Sequence, residues 1–244
     1  MTETPLTQIW VYLAASPLLW LSATLVCYLL ADRLYRLGRG NPLLNPVGIA
    51  VALLIAILVA TDTPYGVYFD GAQFVHFLLG PATVSLAIPL YRQRARLGAL
   101  ALPIGAALLA GVLTASLSAV GLAALLGADV ATQVSLAPKS VTAPVAMGIS
   151  EKLGGIPSLT AVLVVSTGIV GAVFGTGLLR LLGIRDDAVK GIAMGATSHG
   201  IGTARAFQVS ATMGAFSGLA MALSAFLTAT LLPSLLTWVG LVGE

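Results

Sequence analysis

Long apolar runs alternate along the chain with short polar connections. Ile9–Leu30, Val47–Ala60, Ala72–Tyr91, Ala99–Leu126, Ser158–Leu182 and Gly214–Val239 are runs of the length and composition of membrane helices. Two further stretches are apolar but interrupted. Val134–Ser150 carries Pro138, Lys139, Ser140, Thr142 and Pro144, and Gly191–Phe207 carries Ser198, His199, Gly200, Gly202, Thr203 and Arg205. The pattern predicts an all-α, polytopic integral membrane bundle of about seven or eight segments, built as one domain over residues 1–244.

The interruptions have a physical cost. Proline lacks a backbone N–H and disfavours the α conformation in the residue before it. The carbonyls this frees cost several kcal/mol each in hydrocarbon, so broken backbone survives only where protein or a wet cavity surrounds it. Pro138 and Pro144, with Gly200 and Gly202 in the second stretch, are therefore expected helix-break positions. Pro81, after Gly80, has the same part in Ala72–Tyr91. Pro81-Ala82-Thr83-Val84-Ser85 aligns with Pro138-Lys139-Ser140-Val141-Thr142 at an offset of 138 − 81 = 57. Segments 72–91 and 134–150 are accordingly expected to be related by an internal repeat.

Charge refines the topology. Only 9% of the residues are charged and 58% are hydrophobic, against about 25% charged in a soluble domain. The net charge of +3 is spread over short loops and has no basic stripe with interleaved aromatics, so it reads as membrane orientation and not as nucleic-acid binding. Arg33, Arg36 and Arg39, then Arg92, Arg94 and Arg96, mark cytoplasmic ends, while Asp62, Asp70 and Asp129 mark the outer side, where Tyr65, Tyr68 and Phe69 suit an interfacial belt. Eight straight crossings would put Arg180, Arg185 and Lys190 outside, against that bias. If Val134–Ser150 dips in and returns as a re-entrant hairpin, the three cations move to the cytoplasm, and this reading is preferred. Cys27 is the only cysteine, which excludes a disulfide framework. The N-terminus has no basic region, so no cleavable signal peptide is expected.

The polar groups inside apolar segments are the candidate chemistry. His76, Lys139, His199 and Arg205 are the cationic or titratable ones, and every Asp or Glu sits at an end or in a loop. Buried cations without carboxylate partners must use carbonyls, hydroxyls or an anion from outside. Helix N-termini at the breaks add partial positive charge. Lys139, Ser140 and Thr142, with Ser198, His199, Thr203 and Arg205, are thus candidate ligands of a small anion, and the repeat would set Thr83 and Ser85 beside them. Blander roles stand next to these. Lys139 can snorkel to a headgroup, Arg205 can end its segment at the interface, Thr83 and Ser85 can bond their own helix carbonyls, and His76 reads as structural. No nucleophilic elbow or metal-ligand spacing is present, so neither an enzyme, a metal nor a cofactor is expected.

FLLGPATVSLAIPLY, LAPKSVTAPVAMGISEKLGGIPSLTAV, STGIVGAVFG and GIAMGATSHGIGTARAF, with the loop TPYGVYFDG, resemble the signature blocks of the LrgB/CidB/YohK family over residues 40 to 238. The resemblance implies a multi-pass protein of the bacterial cytoplasmic (inner) membrane and two kinds of function. Bacterial members are described as antiholin-like regulators of murein hydrolase export, working beside a small LrgA/CidA-type membrane partner. Plastid relatives look like glycolate/glycerate carriers, and some bacterial systems are linked to pyruvate. The residues favour a carrier of small carboxylates, because a pore former has no use for proline-broken segments bearing a lysine and a histidine. A homo-oligomer is expected in either case.

Overall fold

Every regular element among the described residues is helical. A computed structural model describes residues 17–78, 81, 84, 85, 87–92 and 94–243. By internal contacts the chain forms two compact units, Met1–Ser85 and Leu86–Glu244.

The first unit contains α1 (Pro17–Leu37), a 3-10 turn (Pro42–Leu44), α2 (Pro46–Ala60) and α3 (Tyr65–Phe77). Asn45 caps α2 by accepting from the Gly48 N–H at 3.0 Å, with Pro46 opening the helix. Trp20 is buried in α1 and meets the Tyr68 ring edge-on at 5.9 Å. Two expectations change here. Asp32, Arg33 and Arg36 belong to α1 and not to a loop, because Asp32 and Arg36 pair at 2.8 Å one turn apart. The Tyr65–Phe69 aromatics stand on a helix, stacked at 5.8 Å. The interruption expected in Ala72–Tyr91 lies largely outside the described residues: α3 ends at Phe77, Pro81, Val84 and Ser85 are helical, and a further helix begins at Ala87.

In the second unit α4 (Ala87–Arg92) and α5 (Arg94–Ala99) lead into α6 (Ala101–Leu125), followed by α7 (Val130–Leu136), α8 (Ala143–Lys152), α9 (Pro157–Leu181), α10 (Asp187–Val209) and α11 (Ala211–Trp238). Among the described residues α1, α6, α9 and α11 are long and apolar enough to cross a membrane. The last three of these run roughly 37–42 Å at 1.5 Å per residue.

Three of the remaining helices of this unit, α7, α8 and α10, make two hairpins. α7 and α8 are the arms of the first. Asp129 caps α7 through the Thr132 N–H at 2.9 Å, and residues 137–142 turn the chain. The end of α8 then comes back to α7. Thr160 of α9 donates to the Ser150 hydroxyl at 2.8 Å and lies 3.1 Å from the Ser135 carbonyl, while the Ile156 N–H donates to the Ser135 hydroxyl at 2.7 Å.

α10 is the second hairpin. Its backbone reverses at His199, where φ is 41° and ψ −134°. The outgoing arm is 187–198 and the returning arm 200–209. Ser210, just past the end, donates to Asp187, the first residue, at 2.7 Å. A Cβ on Gly202 would lie 2.8 Å from the Met194 carbonyl oxygen, which only a folded-back chain permits.

The two hairpins enter from opposite ends of the unit. Val134, Ala137 and Ile149 of the first pack with Val120 of α6 and Leu232 and Leu236 of α11. Ala188 of the second packs with Ile104 and Leu108 of α6 and Phe216 and Ala220 of α11. These are the opposite halves of the same two helices. An Arg96–Asp186 ion pair joins α5 to the loop before α10, so that helix and that loop share one face. Straight passage of Val134–Ser150 would have put them on opposite faces. The re-entrant reading of that stretch therefore holds.

Candidate functional site: two hairpin tips at mid-span

The tips converge on the middle of α9. His199 is buried, and its Nε2 lies 2.9 Å from the Val164 carbonyl oxygen. A carbonyl only accepts, so this nitrogen carries the proton. Val164 also packs with Val141 and Ala146 of the first hairpin. One turn on, α9 has small residues where the second tip presses in. A Cβ on Gly168 would stand 2.6 Å from His199 Cε1, and one on Gly171 would collide with the Ser198 hydroxyl. These glycines are the notch that receives Ser198 and His199.

The second tip is held by hydroxyls. Ser198 and Thr197 share a contact of 3.1 Å, and Thr203 donates to the His199 carbonyl at 2.8 Å while meeting Ser217 of α11 at 2.9 Å. A carbonyl at this tip thus has a side-chain partner inside the protein. The first tip solves the same problem with Ser116 of α6, which donates to the Ala137 carbonyl at 2.9 Å.

The first tip keeps its own polar side chains unspent. Thr142 stands at the N-cap of α8 with no side-chain cap bond. Lys139, Ser140 and Thr142 are half-buried, and their side chains make no hydrogen bond or ion pair with any other described residue. Below them is a cavity of about 10 Å³ bounded by Ser116, Pro138, Ser140, Ala196 and Thr228. That is room for about one water molecule, and the residues come from both hairpins, α6 and α11. Ser224 of α11 is buried nearby in sequence with its hydroxyl unpartnered.

Of the residues singled out in the sequence, the structure gathers Ser140 with the first tip's cavity, and Ser198, His199 and Thr203 at the second tip, with Lys139 and Thr142 on the turn between α7 and α8. Arg205 lies on the returning arm of α10 and lines a different cavity, with Arg180, Arg185 and Lys190. Pro81 and Ser85 are exposed residues of the first unit, and Thr83 is outside the described residues, as is much of the stretch needed to compare 72–91 with 134–150. Pro138 sits in the break as expected. Pro144 opens α8 in its first turn instead of breaking a helix, a position where its missing N–H costs nothing. The second break falls on His199 itself, next to Gly200, and Gly202 is helical. Ser116, Thr228 and Ser217 escaped the sequence reading. Their one signal was a hydroxyl within an apolar run. No group of His, Cys, Asp or Glu suited to a metal occurs among the described residues.

Comparison with known proteins gives a consistent result over nearly the whole chain. The chain is 32% identical over 213 residues to the holin-like protein CidB of Staphylococcus epidermidis, covering 87% of this chain and 93% of that protein. Against the holin-like protein CidB of Staphylococcus aureus it is 33% identical over 219 residues, 90% of this chain and 95% of the relative. YwbG of Bacillus subtilis is 35% identical over 216 residues, 88% and 95% of the two chains. No solved structure matches. The model of the LrgB-like family matches residues 24–238, and this membrane protein, with its two opposed hairpins, belongs to that family.

Proposed function

We propose that the chain serves a holin-like role in a bacterial cytoplasmic membrane, as a regulator of murein hydrolase export and lysis, with a small LrgA/CidA-type partner and as a homo-oligomer. The supporting observation is the breadth of likeness to proteins named holin-like, which reaches 93–95% of their length. Those names favour this reading over the carrier that the polar residues alone suggested. The test is expression of the chain, with and without the partner, in a host lacking its own relatives. Extracellular murein hydrolase activity and lysis should change with expression. Identical activity and lysis with and without the chain would sink the proposal.

A second reading, a carrier of small carboxylates, has one specific observation in its favour. Two broken elements from opposite ends meet at mid-span, the construction secondary transporters use around a substrate. Some element ends also recur at one spacing: 187 − 130, 209 − 152 and 238 − 181 are each 57, as is 186 − 129 for the capping aspartates, while the two crossings start 211 − 157 = 54 apart. Each half holds a hairpin and one crossing, so the second half is inverted relative to the first. Lys139, Ser140 and Thr142 would face the anion, and a hairpin would have to move to widen a cavity that fits about one water. Uptake of labelled glycolate, glycerate, lactate and pyruvate into proteoliposomes tests this. Lys139→Met should cut uptake affinity about ten- to a hundred-fold by removing a charge-assisted contact. His199→Gln should flatten the pH dependence. Wild-type uptake by both variants would discard the reading.

A further inference from the structure

At the base of the second hairpin is a cavity of about 330 Å³, of the size of small-molecule sites. Arg180 reaches it from the last turn of α9, Arg185 from the following loop, Lys190 from the outgoing arm of α10 and Arg205 from the returning arm. No Asp or Glu is among the described residues that line it. Two carboxylates stand nearby: Asp186 pairs with Arg96, and Asp187 accepts from Ser210 and, at 3.1 Å, from the cavity-lining Lys190, whose charge it partly offsets. Basic residues at the cytoplasmic ends of spans are ordinary. Two features here are not. Arg205 sits within the hairpin, half-buried, and four cations from separate segments surround one space.

Like charges around a shared cavity repel, and an anion between them turns that repulsion into attraction. Beyond the bonds that Arg205 gives Gln208 and Lys190 gives Asp187, three guanidiniums and an ammonium together still offer several donors. That suits a group with three or four acceptor oxygens and more than one charge better than a single carboxylate. We infer that this cavity binds a phosphate group. It is separate from the hairpin tips and does not depend on either functional reading. The same chemistry is presented by the headgroup of an anionic phospholipid and by free phosphate.

The test uses the full chain in nanodiscs. One arm titrates inorganic phosphate into phosphatidylcholine discs by calorimetry. The other compares lipid retained on the protein, by native mass spectrometry, from discs with and without phosphatidylglycerol. Arg180 and Arg185 are exposed, so the Arg180→Gln/Arg185→Gln protein should fold. It should bind at least about tenfold more weakly, given two lost charge-assisted contacts. Arg92→Gln/Arg94→Gln removes the same charge from another loop and should bind as the parent does. Binding of phosphate alone assigns the site to a soluble anion, retention of phosphatidylglycerol alone to the lipid, and both to a site open to either. If neither probe binds, or if the two double variants lose binding equally, there is no built site and the inference fails.

Discussion

Ser210 donates to Asp187 at 2.7 Å although 23 residues separate them. In a straight helix they would lie roughly 34 Å apart. This single bond closes the base of the second hairpin. Ser210 also caps α11 by accepting from the Met213 N–H at 3.1 Å, so one hydroxyl fixes both the closure of the hairpin and the start of the next crossing.

Ser210→Ala should therefore cost about 1–2 kcal/mol, a cap plus a partly exposed charge-assisted bond discounted for solvent. Ser210→Thr should retain most of it. Thermal unfolding in detergent measures the difference, and equal melting of Ala and parent would show that the clasp contributes nothing.

The clasp predicts a pH dependence. The Ser210 hydrogen bond, and after it Lys190, hold the Asp187 carboxyl below its ordinary range. The Val189 N–H first, with Ala188 and Arg96, lowers Asp186. A carboxyl lowered in the folded state stabilises it fully above the unfolded pKa, about 3.9, and this is lost as pH falls through the lowered value. Melting should be flat on this account above about pH 5 and fall in more acid solution. Asp187→Asn should shrink the acid-side loss, and an unchanged acid limb would refute the assignment.

Gly195 and Gly200 should respond differently to alanine. A Cβ at Gly195 would collide with the Ser217 carbonyl oxygen, backbone that cannot swing away, whereas at Gly200 only Met221 Sδ approaches, at 4.0 Å. Overpacking at a rigid contact costs about 1–3 kcal/mol. Folded yield and melting temperature should drop for Gly195→Ala and stay near the parent for Gly200→Ala.

The opposed hairpins predict sidedness. In a Cys27→Ala background, Glu151→Cys at the base of the first hairpin and Gln208→Cys near the base of the second are both exposed. A membrane-impermeant maleimide should label them from opposite faces. Labelling of both from the same face would refute the topology.

Much of the chain could be read before folding. Ala99–Leu126, Ser158–Leu182 and Gly214–Val239 became α6, α9 and α11 within a few residues, because helix is the way an apolar run satisfies its own backbone in lipid. Pro138 and the charge bias marked the first hairpin for a local reason: a missing N–H and a cation are visible in any window that contains them. The second hairpin was not legible as one. Gly191–Phe207 has no proline, and its reversal at His199 is imposed from outside, by Gly168 and Gly171 of α9 opening a notch and by Ser210 meeting Asp187. Nor could sequence separate Arg205 from Ser198 and His199, its near neighbours along the chain. The fold sends the histidine to mid-span and the arginine to a basic cavity near the hairpin's base. Composition and proline chemistry act through nearest neighbours and set which segments are helical. Where a broken helix turns, and what its polar groups meet there, depends on contacts between segments far apart in the chain.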